Sequence, residues 1–70
     1  MNSSFSERKP VILDLLMEAS SVSVSELAKR LDVTVVTARS DLAALEKEGL
    51  LVRTHGGAVP AQHPKILERM

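Results

Sequence analysis

The side chains of this chain that could do chemistry are few, and they favour binding over catalysis. His55 and His63 are the only imidazoles, and there is no cysteine. That removes thiol catalysis, disulfide staples and cysteine-containing zinc sites together. Each histidine has only the other as a nitrogen partner and no carboxylate shares their spacing, so no metal site is expected. No glycine-rich phosphate loop follows a strand, and the parts of a catalytic centre are lacking. The expectation is a protein that is not an enzyme and uses no cofactor. What remains is a run of cationic, hydroxyl and small apolar side chains between Lys29 and Gly57. Arg39 can take a guanine or a phosphate, Ser40 can bond to either partner, and Val36 and Ala43 can meet thymine methyls or simply fill a helix surface. Thr34 and Thr37 carry hydroxyls that suit a helix cap, a core edge or a phosphate, with capping first for Thr34. Lys29 and Arg30 suit the negative end of a helix, and one of them a phosphate. Arg53 and His55, two apart, project to one face of a strand. Gly56-Gly57 is first a turn, and second a place where backbone amides approach a phosphate closely.

Those residues need elements to position them, and the chain is short. Seventy residues, 44% hydrophobic and 26% charged, make one small globular domain rather than a disordered segment. A core of this size is only marginally stabilising, so its packing must be economical or gain support from a partner. Residues 1–5 read as a flexible N-terminus. From Pro10 to Ala19 the spacing is helical, with Ile12, Leu13, Leu16 and Met17 on one stripe and Asp14 and Glu18 on the other side. Proline in a helix interior lacks an N–H and clashes with the preceding turn, so this helix is expected to begin near residue 9 or 10. Val22 and Val24 alternate with serines, which predicts a short extended stretch. Ser23 and Glu26 form a capping box that opens a second helix, Val24 to Leu31, with Leu27, Ala28 and Leu31 inward. Asp32-Val33 makes a tight connection, and Thr34 caps a third helix from Val35 to Glu48 that Gly49 stops. If Ala38, Leu42 and Leu45 face inward on that helix, Val36, Ser40, Ala43 and Lys47 face outward with Arg39 at their flank. Glu46 and Glu48 near its end would repel DNA. Leu50 to Thr54 reads as a strand, His55-Gly56-Gly57 as a tight turn, and Ala58-Val59 as a returning strand that Pro60 ends.

Charge sets a constraint on any nucleic-acid reading. Nine lysines and arginines balance nine aspartates and glutamates, for a formal net charge of zero and a pI near 6.7. Bulk electrostatics therefore cannot hold this chain on a polyanion, and binding must come from where the charges sit. Phe5 is the only aromatic residue, which disfavours base-stacking modes of recognition. No apolar run approaches the length that spans a bilayer, and Asp14 and Glu18 interrupt what would be a secretory signal. A cytoplasmic protein without a membrane partner is expected. Helix, short strand, helix, tight turn, helix and hairpin is the order of a winged helix-turn-helix: mostly α with a small β-hairpin, three helices plus a wing.

The segment VSVSELAKRLDVTVVTARSDLAALEKEGLLVRTHGGAV resembles the N-terminal domain of the DeoR family of bacterial transcriptional repressors. Members read V-S-x-x-E-L-A, then V-S-x-x-T-[IV]-R-R-D-L-x-x-L-E, then G-x-[LI]-x-R-x-H-G-G-A, and the match runs from about Ser6 to Pro60. The resemblance implies a domain over residues 6–60, with the helix-turn-helix at about 22–41 and the wing at about 50–60. It implies sequence-specific binding to a double-stranded DNA operator, by homo-oligomers in the full-length protein, at promoters of sugar or nucleoside metabolism. Repression by occlusion of the promoter, in a bacterial cytoplasm and on the nucleoid when bound, follows from the same likeness. Residues 61–70 would be a linker toward a C-terminal domain, absent here, that senses a phosphorylated sugar. Two departures stand out. The family's paired arginines are Arg39-Ser40 here, which removes a phosphate or base contact and bears on affinity and target alike. The preceding aliphatic is reduced to Ala38, which shrinks the packing between the two motif helices. The competing expectation is a winged-helix protein-interaction module that has lost DNA binding, as the neutral charge and Ser40 would suggest.

Overall fold

Each helix among the described residues begins at a hydroxyl. Ser4, Ser23 and Thr34 stand in extended backbone and accept from the amides of Glu7, Glu26 and Thr37, three residues on in each case. Each bond satisfies one of the amides that a helix N-terminus leaves without an internal partner. The computed structural model describes residues 4–61, and the expected linker lies outside them from residue 62 on. The elements in order are α1 (Phe5–Ala19), β1 (Val22–Ser23), α2 (Val24–Leu31), α3 (Val35–Lys47), β2 (Leu51–Thr54) and β3 (Gly57–Pro60).

The first helix departs from expectation at its start. It begins at Phe5 and carries Pro10 inside it, rather than beginning at residue 9 or 10. A complete capping box builds the extra turn: the Ser4 amide donates to Glu7 Oε1 at 3.1 Å, and the Glu7 amide to Ser4 Oγ at 3.3 Å. Phe5, expected to be flexible, packs against the core. Arg8 then pairs with Asp41 on α3, and Lys9 with Glu48 at its C-terminal cap. These contacts oppose the penalty of an internal proline, about 3 kcal/mol, and the Pro10 ring lies exposed. Ile12 and Leu16 are buried as expected, but Met17 is 81% exposed and does not join their stripe. Leu13 packs beside the buried pair as expected, and Phe5 and Leu15 join it there.

The two motif helices match the expected bounds, apart from Glu48, which caps α3 rather than belonging to it. Only half of the expected Ser23–Glu26 box forms: the Glu26 amide donates to Ser23 Oγ at 3.1 Å, and no return bond from the carboxylate is present. The turn between α2 and α3 is set by Asp32, in the left-handed conformation at φ 58°. Its amide donates to the Lys29 carbonyl and that of Val33 to the Ala28 carbonyl, which is the Schellman pattern. Val33 packs against the core as the apolar residue such a cap places there. Gly49 repeats the device at φ 81°, with Gly49 N–H to Glu46 and Leu50 N–H to Leu45. It turns the chain sharply from α3 into β2.

A three-stranded antiparallel sheet of order β1-β3-β2 closes the domain. The hairpin was legible in the sequence; the pairing of β1 with β3, through Val22↔Ala58 and Ser23↔Gly57, was not. The turn is His55-Gly56, and Gly57 belongs to β3 rather than to the turn. The core joins Ile12 and Leu16 of α1, Val24, Leu27 and Ala28 of α2, Ala38, Leu42 and Leu45 of α3, and Leu51 and Ala58 of the sheet. Among the described residues no helix is long and apolar enough to cross a membrane.

Candidate nucleic-acid interface

Burial of Ala38, Leu42 and Leu45, each at 1% exposure or less, fixes how α3 is rotated about its axis. The opposite side presents Val36 at 76% exposure, with Arg39, Ser40 and Lys47 also exposed. Ala43 lies on the same outer side, about 100° from Leu42 and 160° from Leu45 around the helix, but is only partly exposed. At the start of α3, Thr34 Oγ1 accepts from the Thr37 amide at 3.1 Å, and the two hydroxyls bond each other at 3.1 Å. Capping is thus the structural role of Thr34, and Thr37 is half-buried beside it.

Asp41 is the residue that sequence reasoning missed. It sits next to Leu42 at the edge of the inward stripe and is 4% exposed. Arg8 answers it with two bonds, Nε to Oδ2 and Nη2 to Oδ1, the latter at 3.0 Å. A bidentate guanidinium satisfies the planar carboxylate as a single ammonium could not. The hydrogen bond to Asp41 raises the affinity of Arg8 for its proton above the ordinary arginine level. α3 is thereby clamped to α1 across its buried side.

The acidic end of α3 also reads differently in three dimensions. Glu48 takes Lys9 Nζ at 2.7 Å, and Glu46 takes Arg53, so neither carboxylate is the bare repulsive charge that the sequence suggested. Glu46 is held below the usual glutamate range, first by the Arg53 backbone amide and then by its side chain. A groove of about 450 Å³ runs between α3 and the β2–β3 turn and brings Arg39, Arg53, His55 and Gly56 together. Gly57 lines its floor but is buried. A Cβ there would lie 2.0 Å from the Val22 carbonyl oxygen, so the pairing of β1 with β3 by itself requires a glycine here. Gly56, exposed at φ 85°, keeps the turn role. Lys29 and Arg30 are exposed at the end of α2. Arg30 borders a second, smaller groove with Leu15, Ala19 and Val22, away from the Arg39 cluster.

The zero net charge hides an uneven placement. Among the described residues Arg8, Lys9 and Arg53 are neutralised by carboxylates, whereas Lys29, Arg30, Arg39 and Lys47 make no ion pair. All four belong to α2 and α3, where the exposed carboxylates are Glu26 and Asp32 at the two ends of α2 and Glu48 at the end of α3. Asp14 and Glu18, by contrast, are exposed on α1. No group of three or more metal-ligating side chains occurs among the described residues.

Residues 8–63 match the family model of the DeoR-like helix-turn-helix domain. The chain is 47% identical over 58 residues to the lactose phosphotransferase system repressor of Lactococcus lactis, covering 83% of this chain and 23% of that protein. It is 48% identical over 52 residues to the L-fucose operon activator of Haemophilus influenzae, covering 74% and 21%. It is 39% identical over 61 residues to the HTH-type transcriptional repressor GlcR of Bacillus subtilis, covering 86% and 24%. The chain spans about a quarter or less of the length of these curated relatives. No solved structure matches it.

Proposed function

The chain belongs to the family of DeoR-like helix-turn-helix domains, and we propose that it is the DNA-reading part of a transcriptional regulator and performs no catalysis. The observation that carries this reading is the exposed flank of α3, where Val36, Arg39 and Ser40 are open to solvent and Arg39 shares a groove with Arg53 and His55 at the β2–β3 turn. In that reading the N-terminal half of α3 enters the major groove. Arg39 takes a guanine edge or a phosphate, Ser40 a base edge, and the exposed Val36 methyls a thymine methyl. The amides of the first turn of α3, at Thr34, and the cations Lys29 and Arg30 hold phosphates and set the register. Arg53 and His55 bring the wing against the flanking backbone.

In the full-length protein the domain acts within a homo-oligomer on a double-stranded operator in the cytoplasm, on the nucleoid when bound. A phosphorylated sugar acts through a further domain and switches binding. Relatives named for lactose and L-fucose regulation support a sugar-metabolism promoter as the target. Repression by occlusion is the simplest output, since the bound protein covers promoter DNA. Selection of duplexes from a random-sequence pool tests the proposal. Enrichment of a defined site, bound more weakly as salt rises, is the expected result. A pool that stays random through repeated rounds would overturn it and assign the α3 surface to a protein partner.

A further inference from the structure

We propose that Glu46 is a positioning residue that presents the wing arginine, Arg53, to a DNA phosphate. The inference rests on the DNA-binding reading above and adds a role for a carboxylate that simple electrostatics would exclude. Glu46 spans two donors of one residue. Its Oε2 accepts from the Arg53 backbone amide at 3.0 Å, and its Oε1 from Arg53 Nε at 3.0 Å. β2 is an edge strand, and the Arg53 amide points away from β3, so without Glu46 it would face solvent as an open pairing edge. The same carboxylate ties the hairpin to α3 and limits the rotamers of the guanidinium.

Arginine presents five N–H donors in a planar fork, and Glu46 engages only the one on Nε. Neither Nη has an acceptor among the described residues, and the side chain is 48% exposed on the groove that it shares with Arg39 and His55. A flexible arginine loses side-chain freedom when it grips a phosphate, whereas one already held at Nε loses less. The geometry therefore sets positioning against repulsion, and the two have opposite signs. If Glu46 merely opposes the polyanion, its removal tightens binding. If it positions Arg53, its removal weakens binding although a negative charge has been deleted.

The test uses the whole 70-residue chain and a duplex recovered by selection with that chain. Affinity and its salt dependence are measured for Glu46→Ala, Glu46→Gln, Arg53→Ala and the double Glu46→Ala/Arg53→Ala, with helix content followed by circular dichroism. Positioning predicts that Glu46→Ala weakens binding about tenfold and makes the salt slope about one unit shallower, as Arg53→Ala does. The double variant should be no weaker than Arg53→Ala alone. Glu46→Gln, which keeps one carbonyl acceptor, should fall between Glu46→Ala and the parent. Should Glu46→Ala lose helix content, Glu46→Gln still decides the sign. Unchanged or tighter binding by the Gln variant, or an Ala variant additive with Arg53→Ala, overturns the proposal while leaving DNA binding intact. A parent chain without affinity for any duplex overturns both.

Discussion

A methyl group at Gly57 would overlap the Val22 carbonyl, 2.0 Å away, and backbone cannot yield as a side-chain tip can. Gly57→Ala is expected to part β1 from β3 and lower stability by about 1–3 kcal/mol. Gly56→Ala, with open space around it but a φ of 85°, should lose only about 1–2 kcal/mol. Thermal melts of the two variants check that order, and a milder Gly57→Ala would contradict the sheet register. Arg39 is exposed and makes no ion pair among the described residues, so Arg39→Ala should leave the melt unchanged. The same variant should weaken binding to a selected duplex by about 1–3 kcal/mol; equal affinity at fixed salt would remove Arg39 from the interface. Acid probes Glu46. Its carboxyl is depressed in the fold below the ordinary 4.5, so its contribution is complete above that value and is lost as pH falls through the lower folded one. Hydrogen exchange at the Arg53 amide should accelerate over that acid window, and a flat profile would show that the Glu46 contact does not protect it.

At the scale of elements, α3 is held from three sides: by α2 through apolar packing, by β2 through Glu46, and by α1 through Arg8–Asp41. Leu42→Ala should lower stability by about 2–5 kcal/mol, enough to unfold much of a domain this small. Asp41→Ala leaves the Arg8 guanidinium, whose side chain is 11% exposed, without its bidentate partner, and it should lower the melting temperature far more than Lys9→Ala. The Lys9–Glu48 pair is solvent-exposed and contributes under about 1 kcal/mol. Similar melts for the two variants would contradict the clamp. These same contacts mark where sequence reading succeeded. Caps at Ser23 and Thr34, the stop at Gly49 and the inward row of α3 depend on neighbours within a turn or two, so spacing alone revealed them. The start of α1 did not, because part of what stabilises it lies 33 and 39 residues away, at Asp41 and Glu48. Gly57 looked like a turn residue because nothing local announces that β1 will pair beside it. Arg39, Ser40 and Val36 were legible as an exposed face by elimination from the core row, whereas a wheel puts Ala43 on that face too and cannot tell how far its neighbours cover it. The Glu46–Arg53 link was hidden because it requires knowing how the hairpin folds back on α3.

For the whole molecule, the central claim is that a chain of zero net charge grips a polyanion through uneven placement of its charges. Arg8 and Lys9 are consumed in bracing the fold, and four cations on α2 and α3 are left unpaired among the described residues. Arg53 adds a partly committed fifth through its unengaged Nη groups. Each phosphate neutralised on duplex DNA steepens the plot of log affinity against log salt by about 0.9. The most direct measurement is therefore a salt titration of the unaltered chain on a selected duplex, followed by fluorescence anisotropy. The account predicts a linear plot with a slope between about −2 and −4.5, the range for roughly two to five phosphate contacts. A slope near zero, with affinity retained at high salt, would contradict it.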